Sequence, residues 1–512
     1  MQLQLEKFLR TWGKANMKLK ELLGKIQTEL TIPDSANLDQ EVTGVSTNSQ
    51  KIEKGYLFLG LPGSKVDGGQ FWADSIKAGA VAAIVTPSSA SNFPAQAGEC
   101  LIQSGSIENA CAEIAAAFYG FPAKKLKMIA VTGTNGKTTT THLIEYFLEQ
   151  AHKSTALLGT LYTRWPGYQK TALHTTPFAV ELQEQLFQAQ QAGCQYAVME
   201  ASSHALAQGR IKQCAFDVAI FSNLTQDHLD YHQNMEDYFQ AKALLFTPEF
   251  LKGKAIVNID DSYGQRLVDS LPADKVWTYS LSNQQADFYS KDLNYKSNGV
   301  SGTLVTPRGS FAFDSPLVGQ FNLANLLSAV AALSYLNISS QILDHLPNFA
   351  GVPGRMERVN IDPKQDISVI VDYAHTPDSL ENLLKAARPF IAGKMICVFG
   401  CGGDRDRTKR PLMGKIATTL ADYSIVTSDN PRTEDPQRIL DDIVQGLADG
   451  ANFEVIADRA QAIAQAIGKA QSGDGILIAG KGHEDYQILG TEKIHFDDRL
   501  EAAKALKARL KY

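Results

Sequence analysis

Apolar runs rich in β-branched residues alternate with helical patterns along most of the chain. Segments with the length and composition of strands buried on both faces lie at 127–133, 196–202, 218–224, 254–260, 367–373, 394–400, 423–429 and 474–480. Between them lie helical patterns such as 378–390 and 137–152, the latter placing Leu143, Ile144, Phe147 and Leu148 on one face. This alternation predicts an α/β fold of parallel sheets covered by helices on both faces.

The chain is too long for a single hydrophobic core, since it has 512 residues. The part before residue 121 carries short strands of its own, such as 55–63, so we place the end of a first domain near Pro122. Gly351, Pro353 and Gly354 interrupt the pattern a second time. We therefore predict three domains: 1–123 with an α/β fold, 124–352 with a parallel sheet of the phosphate-loop type, and 353–512 with a Rossmann-like fold.

Composition and charge exclude several classes of function. With 44% hydrophobic and 20% charged residues, the chain is typical of a soluble globular protein. The net charge of -6, without a basic run, argues against non-specific nucleic-acid binding. Neither the first 26 residues nor the stretch 317–336, which Gln320, Asn322 and Asn325 interrupt, resembles a signal or a membrane span. The six cysteines, scattered without CxxC pairs, predict reduced thiols and a cytoplasmic location: Cys100, Cys111, Cys194, Cys214, Cys397 and Cys401.

The strongest chemical signal is a glycine-rich turn after the strand at 127–132. It ends in Gly136-Lys137-Thr138, and a helical pattern follows. The backbone N–H groups of such a turn bind phosphate oxygens, Lys137 adds a point charge, and Thr138 offers a hydroxyl to Mg²⁺. Val131 stands where the usual phosphate-loop spacing has a glycine, so this is a shortened variant that argues against the motor, kinase and GTPase branches. A plain strand-to-helix turn is the alternative, which the order of strand, glycines, lysine and threonine disfavours.

Two further strand ends carry ionisable side chains. Glu200 closes the strand at 196–200, where a carboxylate is costly unless it is paired or bound to a metal. His228 follows the strand that begins at 218. Taken alone, Glu200 could equally be a capping or salt-bridged residue, and His228 a packed or surface residue. Beside a phosphate loop they favour Mg²⁺ over zinc, because the sequence has neither HExxH nor CxxC spacing.

Three polar turns follow strands in the last part of the chain, at 399–410, 428–436 and 479–487. The first is not a dinucleotide fingerprint, because Arg405 stands where GxGxxG needs its last glycine. Each turn alone would be a routine loop. Since parallel sheets bind ligands at the carboxyl ends of their strands, we expect Arg405, Asn430, Arg432 and Glu484 to meet in one place. Cations for carboxylates and an anion for an amine suit an amino-acid substrate.

Taken together, these segments resemble the Mur ligases, which join amino acids to a UDP-linked muramoyl peptide. The resemblance covers nearly the whole chain. It rests on ten motifs in order: TGTNGKTTT, EASSHAL, NLTQDHLDYH, AKALLF, GQFNLANLLSA, GVPGRMERV, DYAHTPDSL, GCGGDRDRTKRPLMG, DNPRTEDP and GKGHEDYQ.

The resemblance implies an ATP-dependent ligase whose three domains bind, in order, the UDP-sugar substrate, ATP and the amino acid. ATP phosphorylates a carboxylate, and an amine then attacks the acyl phosphate. By similarity, ATP contacts fall to Gly133, Thr134, Asn135, Gly136, Lys137, Thr138, Thr139, Asn325, Arg355 and His375. Catalysis falls to Lys137, Glu200, His228 and Lys242, and Mg²⁺ to Thr138, Glu200, His228 and Lys242. Lys242 matches the lysine that is carbamylated in the family, whereas its spacing alone favours an ordinary surface lysine.

The resemblance also implies two sets of substrate contacts. For the UDP-muramoyl dipeptide they are Ser49, Ser64, Lys65, Val66, Thr175, Thr176, Ser202, Gln208 and Arg210. For the amino acid they are Arg405, Asp429, Asn430, Pro431, Arg432, Gly480 and Glu484. The matches at 45–50 and 63–69 keep the layout of the family but differ in several side chains. Residues 1–16 precede Met17 and receive no role.

The prediction of which amino acid is added rests on Arg432. meso-Diaminopimelate has a second carboxylate that lysine lacks, and Arg432 can form a bidentate ion pair with it. The resemblance implies that Glu484 takes the distal ammonium. We therefore expect addition of meso-diaminopimelate to the D-glutamyl γ-carboxylate of UDP-N-acetylmuramoyl-L-alanyl-D-glutamate. A lysine-adding relative or a folylpolyglutamate synthase on the same scaffold is the alternative. A phosphate-loop switch, a transport subunit and an inactive binding protein are disfavoured. A monomer with mobile domains, without a nucleic-acid or membrane partner, is the default expectation.

Overall fold

The computed structural model describes residues 16–63, 66–96, 98–229, 231–296 and 299–510. These form three α/β units in chain order, and each unit, which we call a layer, consists of one main β-sheet and the helices that cover it. The first is built on a four-stranded parallel sheet of order β3-β4-β5-β6. The strands of this sheet are β3 (Gly44–Ser46), β4 (Tyr56–Leu59), β5 (Ala82–Val85) and β6 (Leu101–Gln103). Ahead of it, β1 (Met17–Lys18) and β2 (Glu41–Val42) form a separate two-stranded antiparallel sheet. The helices of this layer are α1 (Leu19–Leu23), α2 (Trp72–Lys77), α3 (Pro87–Asn92) and α4 (Ile107–Phe118).

The second layer is an 11-stranded sheet whose parallel centre has the order β8-β11-β7-β12-β13-β14-β15. Its strands are β7 (Lys127–Thr132), β8 (Thr155–Leu158), β9 (Tyr162–Trp165), β10 (Tyr168–Thr171), β11 (Tyr196–Glu200), β12 (Phe216–Phe221), β13 (Leu251–Asn258), β14 (Val276–Ser280), β15 (Phe288–Lys296), β16 (Gly299–Thr306) and β17 (Gly309–Ser315). Its helices are α5 (Lys137–Gln150), α6 (Ala179–Gln191), α7 (Ser203–Ala207), α8 (Met235–Ala243), α9 (Ser262–Asp269) and α10 (Gln320–Tyr335). Antiparallel pairs, β9 with β10 and β15 to β17, extend both edges.

The third layer is a six-stranded sheet of order β18-β19-β23-β20-β21-β22, parallel except for β18. Its strands are β18 (Glu357–Arg358), β19 (Ser368–Asp372), β20 (Met395–Phe399), β21 (Tyr423–Val426), β22 (Phe453–Val455) and β23 (Gly475–Ala479). The hairpin β24 (Tyr486–Leu489) and β25 (Glu492–His495) follows. The helices are α11 (Pro377–Ala387), α12 (Lys409–Leu420), α13 (Pro436–Val444), α14 (Arg459–Lys469) and α15 (Asp498–Arg509).

Each sheet is covered on both faces, as the continuous apolar runs predict. In the central layer, Leu143, Ile144, Phe147 and Leu148 of α5 pack with α10 on one face, and all four are fully buried. Helices α6 and α8 cover the opposite face. In the last layer, α11, α12 and α13 pack on one face and α14 with α15 on the other. The predicted α/β class is therefore confirmed.

The sequence predicts two domain boundaries, near residues 123 and 352. The step from the first sheet to the second falls in the turn Pro122–Lys125, and the step to the third falls between α10 and β18. The division at residues 123 and 352 stays a prediction. Within the described ranges, no helix is both long and apolar enough to cross a membrane.

Candidate active site

The phosphate-loop segment links β7 to α5 and is shaped by two glycines with positive φ. Gly133 has a φ of 147° and Gly136 a φ of 88°. A Cβ at Gly133 would lie 1.9 Å from Ser222 Oγ, and a Cβ at Gly136 would lie 2.4 Å from Asn325 Oδ1. Side chains at these positions would therefore collide with β12 and α10. Glycine at both positions therefore lets the loop pack closely against its neighbours and lead into the N-terminus of α5, where phosphate oxygens bind in such loops.

The residues after β12 hold the loop in place. The backbone N–H of Thr134 donates to Asn223 O, and the N–H of Asn135 donates to Asn223 Oδ1, both over 2.9 Å. Ser222 Oγ donates to Asn135 O over 2.6 Å. Since β12 pairs with β7, the strand end beside the loop fixes its shape.

Two lysines converge on one carbonyl oxygen of this loop. Lys137 Nζ lies 2.9 Å from Gly133 O, and Lys242 Nζ on α8 lies 2.8 Å from the same atom. Lys242 is only 1% exposed and lies over the Tyr238 ring. Burial, together with the charge of Lys137, holds the pKa of Lys242 well below its ordinary value. Spacing alone favoured a surface position for Lys242, and that alternative is wrong.

Glu200 ends β11 beside the same loop. It is fully buried, and its partner in register on β7 is Val131. Its carboxylate accepts hydrogen bonds from the Thr160 N–H (2.8 Å) and hydroxyl (2.9 Å). Among the described residues no cation lies within ion-pair distance of it. A buried carboxylate held only by neutral donors next to a phosphate loop is suited to bind a cation.

His228 lies in the loop after β12 and has a φ of 54°. Its backbone N–H donates to Asp227 Oδ1 over 2.8 Å, and its ring lies 4.9 Å from that of His204 and 6.1 Å from that of Tyr238. Thr138, 4% exposed, is the second residue of α5, directly after Lys137. Within the described ranges, no three His, Cys, Asp or Glu side chains gather as a metal cluster. Any metal here would depend on hydroxyl, modified-lysine or phosphate oxygens as well.

The third layer faces the loop through the first turn of α11. Asp378 Oδ2 accepts hydrogen bonds from Asn135 Nδ2 (3.2 Å) and from Thr225 Oγ1 (2.8 Å). Thr376 caps this helix and forms a capping box with Ser379, which fixes the direction of its first turn. The structure therefore presents the central and third layers in contact across the phosphate loop.

Arg355, His375 and Asn325 lie around the same face. Arg355 is half-buried, its guanidinium lies 5.0 Å from the Tyr373 ring centroid, and its Nε has no hydrogen-bond partner in the described part of the chain. Its charge lowers the pKa of Lys137, after the larger effect of burial. His375 is bonded through Nδ1 to Tyr373 O over 2.9 Å, and burial lowers its pKa. Asn325 Oδ1 lies 3.4 Å from Thr140 Oγ1.

Five polar residues predicted to bind a second substrate form one network beside Glu200. Thr176 Oγ1 donates to Glu200 O over 2.8 Å and accepts from the Ser202 N–H over 3.1 Å. Arg210 Nη1 donates to Thr176 O, and its Nε and Nη2 bond Gln208 Oε1. Thr175 Oγ1 lies 3.1 Å from the Thr160 hydroxyl, which itself binds Glu200. The network thus reaches Glu200 at its backbone carbonyl, through Thr176, and at its carboxylate by way of Thr160.

The N-terminal members of that set are separate from the network. Ser49 starts a short turn after β3, and Val66 is 50% exposed. In the described ranges no hydrogen bond joins either residue to the group at 175–210. Ser64 and Lys65 lie outside the described residues.

The three turns of the last layer do meet, and they form a polar pocket defined by Asp429, Asn430, Lys481 and Glu484. Asn430 Nδ2 donates to Glu484 Oε2 over 2.9 Å. Lys481 Nζ, fully buried, donates to Asn430 Oδ1 (3.1 Å) and Glu484 Oε2 (3.0 Å), and lies 3.5 Å from Asp429 Oδ1. Gly480, with a φ of 121°, leaves no room for a Cβ, which would lie 2.8 Å from Asp429 Oδ2.

Two arginines lie beside this pocket, both close to Gly402. Arg432 has a φ of 53°, and its Nη1 donates to Gly403 O (2.9 Å) and lies 3.4 Å from Asn430 O. A Cβ at Gly402 would lie 2.9 Å from Arg432 Nη1 and 3.8 Å from Arg405 Cγ. Arg405 is exposed, and Pro431 is buried. The expected gathering of Arg405, Asn430, Arg432 and Glu484 is therefore what the structure has.

Sequence reasoning missed three residues that hold the site together. Thr160 fixes Glu200, Asp378 bridges two layers, and Lys481 is buried inside the polar pocket. Asp378 lies in the motif DYAHTPDSL and Lys481 in GKGHEDYQ. A charged residue at the end of a strand or the start of a helix could therefore have identified both as site residues. Thr160 lies in a short loop after β8, and nothing in its local sequence points to Glu200.

Comparison with known proteins places these features in a family. Residues 41–119 match the family model described as Mur ligase family, catalytic domain; residues 131–333 match Mur ligase middle domain; residues 354–482 match Mur ligase, glutamate ligase domain. The chain is similar to the UDP-N-acetylmuramoyl-L-alanyl-D-glutamate–2,6-diaminopimelate ligase of Nostoc sp. strain PCC 7120, at 64% identity over 97% of this chain and 100% of the relative.

Solved structures give the same picture. A structure of a UDP-N-acetylmuramoyl-L-alanyl-D-glutamate–2,6-diaminopimelate ligase matches with a TM-score of 0.70 and 36% identity, over 97% of this chain and 99% of that chain. A MurF ligase from Thermotoga maritima in complex with ADP matches with a TM-score of 0.62 over 91% of this chain and 98% of that chain. At 16% identity this second likeness concerns the fold alone.

Proposed function

The chain belongs to the Mur ligase family, and on that premise we propose that it adds meso-diaminopimelate to the D-glutamyl γ-carboxylate of UDP-N-acetylmuramoyl-L-alanyl-D-glutamate, using ATP. The names of its relatives agree with this substrate pair, and they do not favour the lysine-adding or folylpolyglutamate alternatives. The observation that carries the proposal is that one chain has both a phosphate loop and a polar pocket, whose carboxylates lie near two arginines.

The loop's own groups suit transfer of a phosphoryl group from ATP to a carboxylate. Backbone N–H groups at the start of α5 and the ammonium of Lys137 bind and orient phosphate oxygens. Arg355, whose Nε has no hydrogen-bond partner among the described residues, adds a second cation from the third layer. Asn325 and His375 are the further ATP contacts that we assign. Contact between layers across the loop excludes water from the acyl phosphate before the amine attacks it.

Mg²⁺ fits the oxygen-rich surroundings of Glu200, and would neutralise phosphate charge there. Thr138 and Glu200 supply a hydroxyl and a carboxylate, and we assign His228 to the same ion. Lys242 is the fourth member. Burial and the charge of Lys137 hold the pKa of Lys242 well below its ordinary value, which increases the share of neutral amine, and the neutral Nζ can attack the carbon of CO₂. The new N–C bond and loss of one proton to water give a carbamate anion, which is an oxygen donor.

The network around Thr176 is our proposed site for the muramoyl dipeptide. Thr175, Thr176, Ser202, Gln208 and Arg210 adjoin Glu200, which would bring the glutamyl γ-carboxylate next to the transferred phosphate. The sites assigned to Ser49 and Val66 for the uridine nucleotide remain predictions.

The polar pocket is our proposed site for the amino acid. Arg432 and Arg405 are suited to bind a carboxylate, and Glu484 with Asp429 is suited to bind an ammonium. Asn430, Pro431 and Gly480 shape the backbone between them. The enzyme then acts as a cytoplasmic monomer in the synthesis of the peptidoglycan precursor, and so supports cell shape and division.

Phosphate release tests this function. Purified protein receives ATP, Mg²⁺ and UDP-N-acetylmuramoyl-L-alanyl-D-glutamate with meso-diaminopimelate, with L-lysine or with no amino acid. Release with diaminopimelate alone supports the proposal, release with lysine keeps the family and overturns the substrate, and release with neither overturns the function. The loop variant Lys137→Met should abolish release, whereas Lys125→Met, which removes an exposed lysine before β7, should leave it unchanged.

A further inference from the structure

Lys481 is a buried cation that the proposed chemistry does not use. Its side chain is fully buried at the end of β23, beside two carboxylates. It lies 3.0 Å from Glu484 Oε2 and 3.5 Å from Asp429 Oδ1. Burying an ammonium is costly, and here the two carboxylates and one amide oxygen compensate that cost.

The same ammonium fixes the orientation of the Asn430 amide. Asn430 Oδ1 accepts from Lys481 Nζ over 3.1 Å and from the Ile488 N–H over 3.0 Å. Only the oxygen of an amide can accept two such bonds, so Nδ2 must point the other way, where it meets Glu484 Oε2 at 2.9 Å. Lys481 and Asn430 together therefore hold one oxygen of Glu484 in place.

Lys481 also sets the charge of the pocket. Asp429 and Glu484 bring two negative charges and Lys481 one positive charge, so the pocket has a net charge of -1. The nearby Arg459 does not alter this balance, because its Nε and Nη2 both bind Asp498 at 2.7 Å, and that pair is fully buried. A single excess negative charge matches a single ammonium, with Arg432 and Arg405 beside it to receive a carboxylate.

We propose that Lys481 is a specificity-determining residue, which keeps the pocket selective for an amino-acid end that bears both an ammonium and a carboxylate. This inference rests on the proposed function. Without Lys481 the pocket would carry two excess negative charges, which repel the distal carboxylate of diaminopimelate and attract the isolated ammonium of lysine. Selectivity is the difference between the affinities for diaminopimelate and for lysine, so loss of the Lys481 charge lowers the first affinity and raises the second.

The variant Lys481→Met removes the charge and keeps an unbranched side chain. We expect its KM for diaminopimelate to rise by at least about tenfold, while its kcat/KM for lysine stays the same or rises. The KM values for ATP and for the UDP-linked dipeptide should not change, since neither site contacts Lys481. Lys469→Met is the matched control: Lys469 is paired with Glu454 at the exposed end of α14 and lies in the same layer. It should leave all constants unchanged.

A second variant covers the case in which Lys481→Met does not fold. Lys481→Met combined with Asp429→Asn removes one charge of each sign and restores the net charge of the pocket. Thermal unfolding shows which variants fold, and calorimetric titration with diaminopimelate and with lysine measures selectivity without turnover. We expect the double variant to keep the preference for diaminopimelate to within about tenfold of the unaltered protein.

Two results would overturn the role of Lys481. One is an equal loss of binding for diaminopimelate and lysine in a folded Lys481→Met protein, and the other is a double variant that loses the preference. A different failure, in which the unaltered protein binds and turns over neither amino acid, would sink the proposed function itself.

Discussion

Gly136 offers a test of how closely the phosphate loop is packed, because two independent penalties apply to a Cβ at this position. Its φ of 88° lies in the left-handed region, where an L-residue costs about 1–2 kcal/mol. The new Cβ would also lie 2.4 Å from Asn325 Oδ1, and Asn325 is only 5% exposed. Overpacking of this kind costs about 1–3 kcal/mol. Gly136→Ala should therefore lower the free energy of unfolding of the central layer by about 2–5 kcal/mol.

The same substitution should impair ATP use. Asn325 Oδ1 accepts from Thr140 over 3.4 Å and its Nδ2 donates to Asn322 over 3.2 Å, so a shift of the amide away from the new Cβ disturbs both bonds beside the loop. A displacement of about 1 Å at a reacting group can cost about 100-fold in rate, and we expect kcat/KM for ATP to fall by that order. The assay is phosphate release at varied ATP, accompanied by calorimetric unfolding.

Gly167 supplies the matched control. Its φ is 82°, but a Cβ there meets nothing within 4 Å, so Gly167→Ala carries only the backbone penalty of about 1–2 kcal/mol. This glycine lies in the turn between β9 and β10, and its substitution should leave ATP kinetics intact. Equal losses of unfolding free energy in both variants, with equal kcat/KM for ATP, would refute the packing argument.

Four further predictions follow from the site. Lys242→Met should lower kcat by about 10²–10³, and intact-protein mass spectrometry under CO₂ should show one added CO₂ on the unaltered protein and none on the variant. Arg432→Ala should weaken diaminopimelate against lysine by about 10–100-fold, measured as the ratio of the two kcat/KM values. Asp378→Ala, which breaks the bridge to the phosphate loop, should raise the KM for ATP and lower kcat together, by about tenfold in kcat/KM. Burial holds the pKa of His142 at about 4, below the ordinary 6.5. As the pH falls, the unfolded chain therefore binds a proton at His142 before the folded protein does, and this destabilises the folded protein by about 3 kcal/mol between pH 6.5 and 4. His142→Gln should abolish this part of the acid destabilisation, measured by denaturant unfolding.

Each of these has an outcome that contradicts it. An unmodified Lys242 with full activity would remove it from the metal site, and unchanged selectivity in Arg432→Ala would remove the arginine from carboxylate binding. If Asp378→Ala changes only stability, the bridge between layers plays no part in catalysis. If His142→Gln loses stability in parallel with the unaltered protein on acidification, another group causes the acid sensitivity.

Sequence patterns were sufficient to predict the elements that carry the site. The strands that end at Thr132, Glu200 and Phe399 were recognisable because they are buried on both faces and so read as continuous apolar runs. Polar residues at their carboxyl ends could then be placed at one edge. This reasoning brought Asn430 and Glu484 together correctly, although 54 residues separate them.

The partners of those residues could not be predicted in the same way. Thr160 reaches Glu200 across 40 residues, and Asp378 reaches Thr225 across 153, so no local pattern contains either contact. The antiparallel extension β15 to β17 was also missed. Its strands mix buried and exposed positions without a continuous apolar run, so the sequence gives no sign of the sheet that they join. Lys242 shows the same limit, since helical spacing does not reveal that the helix turns this residue toward the phosphate loop.

The order of strands in the last sheet bears on how the protein is made. Strand β23 lies in the middle of that sheet, between β19 and β20, yet it is the last of its six strands to be synthesised. Gly480, Lys481 and Glu484 follow it. The buried ion pair of Arg459 with Asp498 joins the start of α14 to the start of α15, the last helix of the described residues. Because domains fold in order during synthesis, the phosphate loop is complete long before the amino-acid pocket. The phosphate-loop segment, with β12 and α10 that pack against it, is therefore available to fold before residues 480–484 of the pocket have been made.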